Sequence, residues 1–358
     1  MATSAQPRPL VVVTGISGYL GASVAHAFLR SSYRVRGTVR KPSQAAAWRA
    51  HFPEYFRDEG GEGGEDGRLE VVLVEDMGVE GAFDEAVRGA EVVVHTASPF
   101  TFGFEDNERD MLRPAVQGTL NVLRSAHRAG TVQHVVLTSS FAALQDYHAD
   151  QAPGGNAGKV YTEDDWCPLS WQEAKETDDQ LLVYVASKKF AEKAAWDFVE
   201  QEKPAFVLTT ILPTYIIGKS EQPIDSVDSL STSAAWIREF IDKDKLPVAP
   251  IQSMIDVSDC ALAHLWAVER RSVSANRRYF VAAHAFTGSE GAHALHEAFL
   301  DKRGRIVQPG GEKGWDRRPA WSWDSSRAVK ELGLEWKPFA QTMREAAEQV
   351  FEFEVRAS

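Results

Sequence analysis

LVVVTGISGYLG, residues 10–21, decides how the rest of the chain is read. Four apolar residues, mostly β-branched, form a short buried-type strand, and Gly15, Gly18 and Gly21 follow at three-residue spacing before an alanine-rich helical stretch from Ala22 to Arg30. Glycines at a strand-to-helix turn permit positive φ, a close backbone approach and tight packing of helix on sheet. The helix start adds unpaired N–H groups that favour an anion. An ordinary tight turn is the alternative, but the place of this one, after a first strand near the N-terminus, favours dinucleotide binding by Gly15, Ser17, Gly18, Tyr19, Leu20 and Gly21.

Outward from this turn the chain alternates β-branched runs with amphipathic stretches. Strands are predicted at 10–14, 33–39, 70–75, 91–97, 134–140 and 206–212, with a helix from about Glu108 to Arg128. Such alternation builds βαβ units, hence an α/β fold with a doubly wound parallel sheet. Residues 8–212 are read as the nucleotide domain, and 213–358 as mainly a smaller substrate-binding lobe, with some segments returning to the core. Between the second helix and third strand, DEGGEGGEDG (58–67) has no apolar residue and is expected as a mobile surface loop.

Composition narrows the function. Over 358 residues, 39 basic side chains against 51 acidic ones give a net charge of −12, which offers polyanions no overall attraction. Nucleic acid is thus an unexpected partner. Cys167 and Cys260 are too few for a disulfide framework and are expected as free thiols in a reducing compartment. Neither a signal peptide nor an apolar run long enough for a membrane helix is evident. A cytoplasmic protein acting on a small molecule, as monomer or homodimer, is expected.

The second strand ends in RGTVRK (36–41), with Thr38 where an acidic residue would select NAD, followed by Arg40 and Lys41. A guanidinium pairs well with a phosphate, so this end favours NADP(H). The alternative is that Arg40 and Lys41 only begin a solvated helix. Arg36 could assist, its direction left open by strand alternation.

Further on, Thr177 and Gln180 read as a capping box opening a helix over 178–203, which carries YVASK. Tyr184 and Lys188 then share one helical face, where an ammonium can bring a phenol, with its ordinary pKa near ~10, towards the working range for proton transfer. YIIGK (215–219) has the same spacing but is β-rich, follows Pro213 and contains Gly218, so Tyr215 and Lys219 are not expected to pair on a helix. A predicted strand ends in TSS (138–140), at the sheet edge where ligands lie, and one of its hydroxyls can hold a carbonyl oxygen beside Tyr184.

These residues resemble the extended short-chain dehydrogenases/reductases, with their TGxxGxxG and YxxxK motifs and an upstream serine. HTASPF (95–100), NERDMLRPAVQGT (107–119), VVLTSSFAA (135–143), SKKFAEKAAW (187–196) and LPTYIIG (212–218) are similar to the dihydroflavonol and cinnamoyl-CoA reductase branch, most of all to fungal members that reduce methylglyoxal, aldehydes and ketones. The likeness covers about residues 8–285. It implies a Rossmann-type fold and reversible, metal-free hydride transfer between NADP(H) and a carbonyl, with Ser140, Tyr184 and Lys188 catalytic and Ser139 structural. It also implies cofactor contacts from Arg40, Asp76, Met77, Thr96, Ala97, Ser98 and Pro213, and a substrate pocket shaped by Phe100, Gln145, Tyr215 and Trp236. Two positions depart from the pattern. Ala115 stands where many members have an asparagine of the proton relay, which leaves the relay to water, and Gln44 replaces a second basic residue. A sugar-nucleotide epimerase or dehydratase that retains NAD, and a nonenzymatic NADP(H)-binding protein, are the competing readings.

Overall fold

The computed structural model describes residues 9–56, 67–98, 103–249, 251–310 and 318–357. Phe100, and all of the 58–67 loop but Gly67, lie outside them. Leu10–Thr14 (β1) is buried at all five positions because both of its faces are covered: Val11 and Val13 point into one layer, Val12 into the other. Around it run Arg34–Val39 (β2), Leu69–Leu73 (β3), Val92–His95 (β4), His134–Thr138 (β5), Val207–Pro213 (β6) and Arg277–Val281 (β7). All seven strands are parallel, in the order β3-β2-β1-β4-β5-β6-β7. The order reverses between β1 and β4, which opens a crevice at their carboxyl ends.

Tyr19–Arg30 (α1) packs on one face of the sheet with Val257–Glu269 (α5). Arg113–Ala129 (α3) and Gln180–Glu202 (α4) cover the other, and Pro42–His51 (α2) follows β2. A separate apolar core gathers Trp236, Phe240, Met254, Phe286, Leu295, Met343 and Phe351 beneath Phe339–Ala357 (α6). Beside it the short strands Tyr215–Ile217, Ser253–Asp256 and His284–Ala285 form a second sheet. Residues beyond 213 therefore divide between the two cores, since β7 and α5 belong to the central sheet.

Two local expectations are corrected. The cap of α4 is Asp179, not Thr177: its carboxylate accepts from Leu181 N at 2.9 Å and Leu182 N at 3.4 Å, and an anion suits a helix start better than a hydroxyl. Gln180 turns instead to Gly103 N and the Phe104 carbonyl. The helix before β5 begins as a π-helical turn, Glu108–Leu112. Among the described residues no helix is long and apolar enough to cross a membrane.

Candidate active site

The glycine turn builds the first wall of the crevice. Gly15 has φ +71°, and its carbonyl accepts from Gly18 N at 2.9 Å. A Cβ on Gly21 would stand 2.3 Å from that same carbonyl oxygen, so the third glycine lets α1 press against the turn. Gly21 does not itself line the cleft, whereas Gly15, Ser17, Gly18, Tyr19 and Leu20 do. Gly21 thus stands at a packing position. Gly18 caps α1 without a side-chain acceptor and the first turn holds no acid, which leaves the opening N–H groups free for an anion. The turn is also held from the lobe side: Tyr19 donates to the Gly218 carbonyl and Gln222 Nε2 to that of Ser17, each at 2.7 Å.

At the end of β2, Thr38 Oγ1 accepts from Gly15 N at 3.1 Å, and the exposed Arg40 borders the cleft together with Asp76 and Met77. Lys41 does not border it. It opens α2, where Gln44 Oε1 accepts from Arg40 N at 3.0 Å and Lys41 N at 3.1 Å, so the glutamine in the place of a second cation works as a cap. Arg36 is committed elsewhere, to Glu70 and the carbonyls of Ala86 and Arg88.

The other end of the cleft gathers hydroxyls and one ammonium. Thr96, Ala97 and Ser98 continue β4 along the wall, and Lys188 Nζ donates to Ser98 Oγ at 2.9 Å. That ammonium lies 5.6 Å from the centre of the Tyr184 ring. Ser140 leaves β5 in an extended conformation (φ −163°, ψ 156°), caps the turn Phe141–Ala143 and is hydrogen-bonded to the Tyr184 phenol. Both Tyr184 and Lys188 keep an opening onto the cleft yet are enclosed by protein. Burial pushes the phenol up to about 12, the Ser140 hydrogen bond drawing it back only partly, and burial pulls Lys188 down to about 8. The expected lowering of the phenol by the ammonium is therefore outweighed by desolvation, and the Tyr184 phenol is protonated at neutral pH.

Pro213, Tyr215 and Gln145 border this end. Gln145 is buried and gives Nε2 to Asp150 at 2.9 Å. Trp236 does not border the cleft: it packs edge-on behind Tyr215 and against Phe240 and Phe286, within the second core. His95 lies buried under the strand end against Thr14 and Phe83. Desolvation, with Lys188 adding to it, takes its pKa down to about 3.

Residues that sequence reasoning missed complete a cleft of about 1550 Å³. Tyr147, Trp171 and Val185 cluster with Tyr184 as an apolar side of the cleft, which Leu181, Ile216 and Ile251 also line. Ser231 borders it too, its hydroxyl oxygen buried and without a hydrogen-bond partner among the described residues. Nothing in the STS stretch at 231–233 separates it from an ordinary cap, so only its position in the fold reveals it.

Comparison with known proteins agrees with the fold. Residues 11–282 match the NAD dependent epimerase/dehydratase family. An uncharacterized oxidoreductase of Schizosaccharomyces pombe is 38% identical over 301 residues, which cover 84% of this chain and 85% of that protein. The NADPH-dependent methylglyoxal reductase of Saccharomyces cerevisiae is 31% identical, with 97% of this chain and 99% of that one covered. The crystal structure of yeast methylglyoxal/isovaleraldehyde reductase complexed with NADPH superposes with a TM-score of 0.83 at 30% identity, over 97% and 99% of the two chains.

Proposed function

The chain belongs to the NAD dependent epimerase/dehydratase family of extended short-chain dehydrogenases/reductases, and from that premise we propose that it is an NADPH-dependent reductase of aldehydes and ketones. The observation that carries the reading is the meeting of Tyr184, hydrogen-bonded to Ser140, with Lys188 at one end of a cleft whose other end is the glycine turn and Arg40.

The residues fit the cofactor. Glycines at 15 and 18 leave room for a pyrophosphate, Arg40 borders the cleft as a candidate partner for a 2′-phosphate, and the Ser231 hydroxyl has no hydrogen-bond partner among the described residues. When bound, NADPH supplies the hydride. Ser140 and Tyr184 hold and polarise the carbonyl oxygen, and Tyr184 gives it a proton as alkoxide charge develops. Lys188 stabilises the phenolate left behind, and Ser98 orients its ammonium. A phenol kept protonated by burial suits the reductive direction. The larger substituent of the carbonyl lies along Tyr147, Trp171, Leu181 and Val185, a side that favours apolar groups.

Oxidation of NADPH, followed by absorbance with methylglyoxal, isovaleraldehyde and aryl ketones, tests the reading against Tyr184→Phe. Loss of turnover by at least ~100-fold with NADPH still bound is expected. Equal turnover by the variant, or NAD held tightly by the purified protein in place of NADPH turnover, would overturn it.

A further inference from the structure

Helix α4 carries a third side chain on the face of Tyr184 and Lys188, one more helical turn along: Glu192. Its carboxylate is fully buried and does not reach the cleft. One oxygen accepts from Ser139 Oγ at 2.7 Å and Arg278 Nη2 at 3.1 Å. The other accepts from Arg278 Nε at 2.7 Å, Thr210 Oγ1 at 2.8 Å and Trp196 Nε1 at 3.1 Å. A single carboxylate thereby joins α4 to the end of β5 and to β6 and β7, with its acceptor sites filled. Arg278 also donates to the carbonyls of Glu163 and Asp165, and its guanidinium lies 3.8 Å from the Trp166 ring centre.

We propose that the Glu192–Arg278 pair is a positioning device for the reacting hydroxyls, acting through Ser139 to fix Ser140 against Tyr184. This rests on the roles given above to Ser140 and Tyr184. Those two residues sit on different elements, and the apolar packing between strand and helix resists sliding only weakly because it is not directional. Directional hydrogen bonds remove that freedom. Ser139 and Ser140 are consecutive, and Ser140 is extended, so a rotation of the strand end at Ser139 carries the Ser140 hydroxyl with it. Displacements near 1 Å in reacting groups cost about 100-fold in rate.

Thr210 provides the control, since its hydroxyl bonds the same carboxylate and is also buried but stands on β6, outside the segment that carries Ser140. Ser139→Ala and Thr210→Val each remove one hydroxyl donor from Glu192. Wild-type turnover, and its loss in Tyr184→Phe, are measured first; failure there would refute the active-site reading itself. With those in hand, Ser139→Ala should lower kcat at least tenfold with the Kd for NADPH and the carbonyl KM within twofold of wild type, while Thr210→Val keeps kcat within twofold. Ser139→Cys, a weaker donor of similar size, should fall between wild type and Ser139→Ala, and it serves alone if the alanine variant does not fold. Equal kcat losses in Ser139→Ala and Thr210→Val, or a Ser139→Ala or Ser139→Cys kcat within twofold of wild type, would overturn the proposal and leave the pair a purely structural tie.

Discussion

Gly21→Ala opposes two effects of known size and so tests the account of the phosphate turn. Gly21 is the third residue of α1, where alanine is favoured over glycine by about 1 kcal/mol. Against that gain, the new Cβ would lie 2.3 Å from Gly15 O, 2.9 Å from Gly15 C and 2.8 Å from Thr96 Oγ1. Two of the three obstacles are backbone atoms, and the Gly15 carbonyl is already engaged by Gly18 N, so the helix must move by roughly 1 Å to reach ordinary contact distances. Overpacking of this kind costs about 1–3 kcal/mol. The net expectation is a loss of up to about 2 kcal/mol in urea unfolding, with a Kd for NADPH raised at least tenfold by fluorescence titration, because the displaced helix no longer aims its first N–H groups at the pyrophosphate. Gly37→Ala is a useful companion. Its Cβ would meet Ile16, at 2.2 Å from Cδ1, the far end of a side chain that can rotate, so cofactor affinity should suffer less. A Gly21→Ala protein more stable than wild type by ~1 kcal/mol, with its NADPH affinity intact, would show that helix propensity decides this position and that the close approach of α1 to the turn is not needed.

Arg40→Ala should weaken NADPH about tenfold, the effect of a charge-assisted contact of roughly 1.5 kcal/mol, and leave NADH unchanged; an equal loss for both cofactors would remove Arg40 from the 2′-phosphate. Trp236→Ala should cost about 3–5 kcal/mol in unfolding while the carbonyl KM changes little, and a large KM effect with normal stability would return Trp236 to the substrate pocket. Acid sensitivity follows from three histidines buried without charge: desolvation takes His134 and His264 down to about 4 and His95 to about 3. The unfolded chain takes up these protons first, so stability is full above about pH 6.5 and falls by about 1.4 kcal/mol per pH unit per histidine below it. Asp259, raised by burial to about 6, opposes one proton of that loss below about pH 6. Urea midpoints between pH 7 and 5 check the slope, and a flat profile would contradict neutral burial of these rings.

Much of the fold was legible because its signals are local. Short runs rich in β-branched residues identify β1 to β6, and the glycine turn marks the crevice that strand order then opens. The seventh strand, RRYFV, escaped notice: it begins with two arginines, and its place beside β6 comes from a crossover over more than sixty residues of chain. Flanking residues, not spacing, singled out Tyr184 from its counterpart Tyr215, since Pro213 and Gly218 mark the second as non-helical; one lies on a helix and the other on a short strand. Lys41, at the start of α2, and Trp236, in the second core, were read from residue type alone, which does not reveal the side a residue faces.

The sequence by itself determined most of the elements, the phosphate turn and the candidate pair Tyr184 and Lys188, because each depends on hydrogen-bond periodicity, backbone freedom and residue chemistry within a few positions along the chain, while the family resemblance chose Ser140 within TSS. Only the tertiary structure decided which of them share a cleft, that burial outweighs Lys188 in setting the acidity of Tyr184, and that Glu192, Arg278 and Ser231 belong to the surroundings of the site. Those properties arise from desolvation and from contacts between residues far apart in the chain, and the dielectric around a side chain is known only when its neighbours are in place.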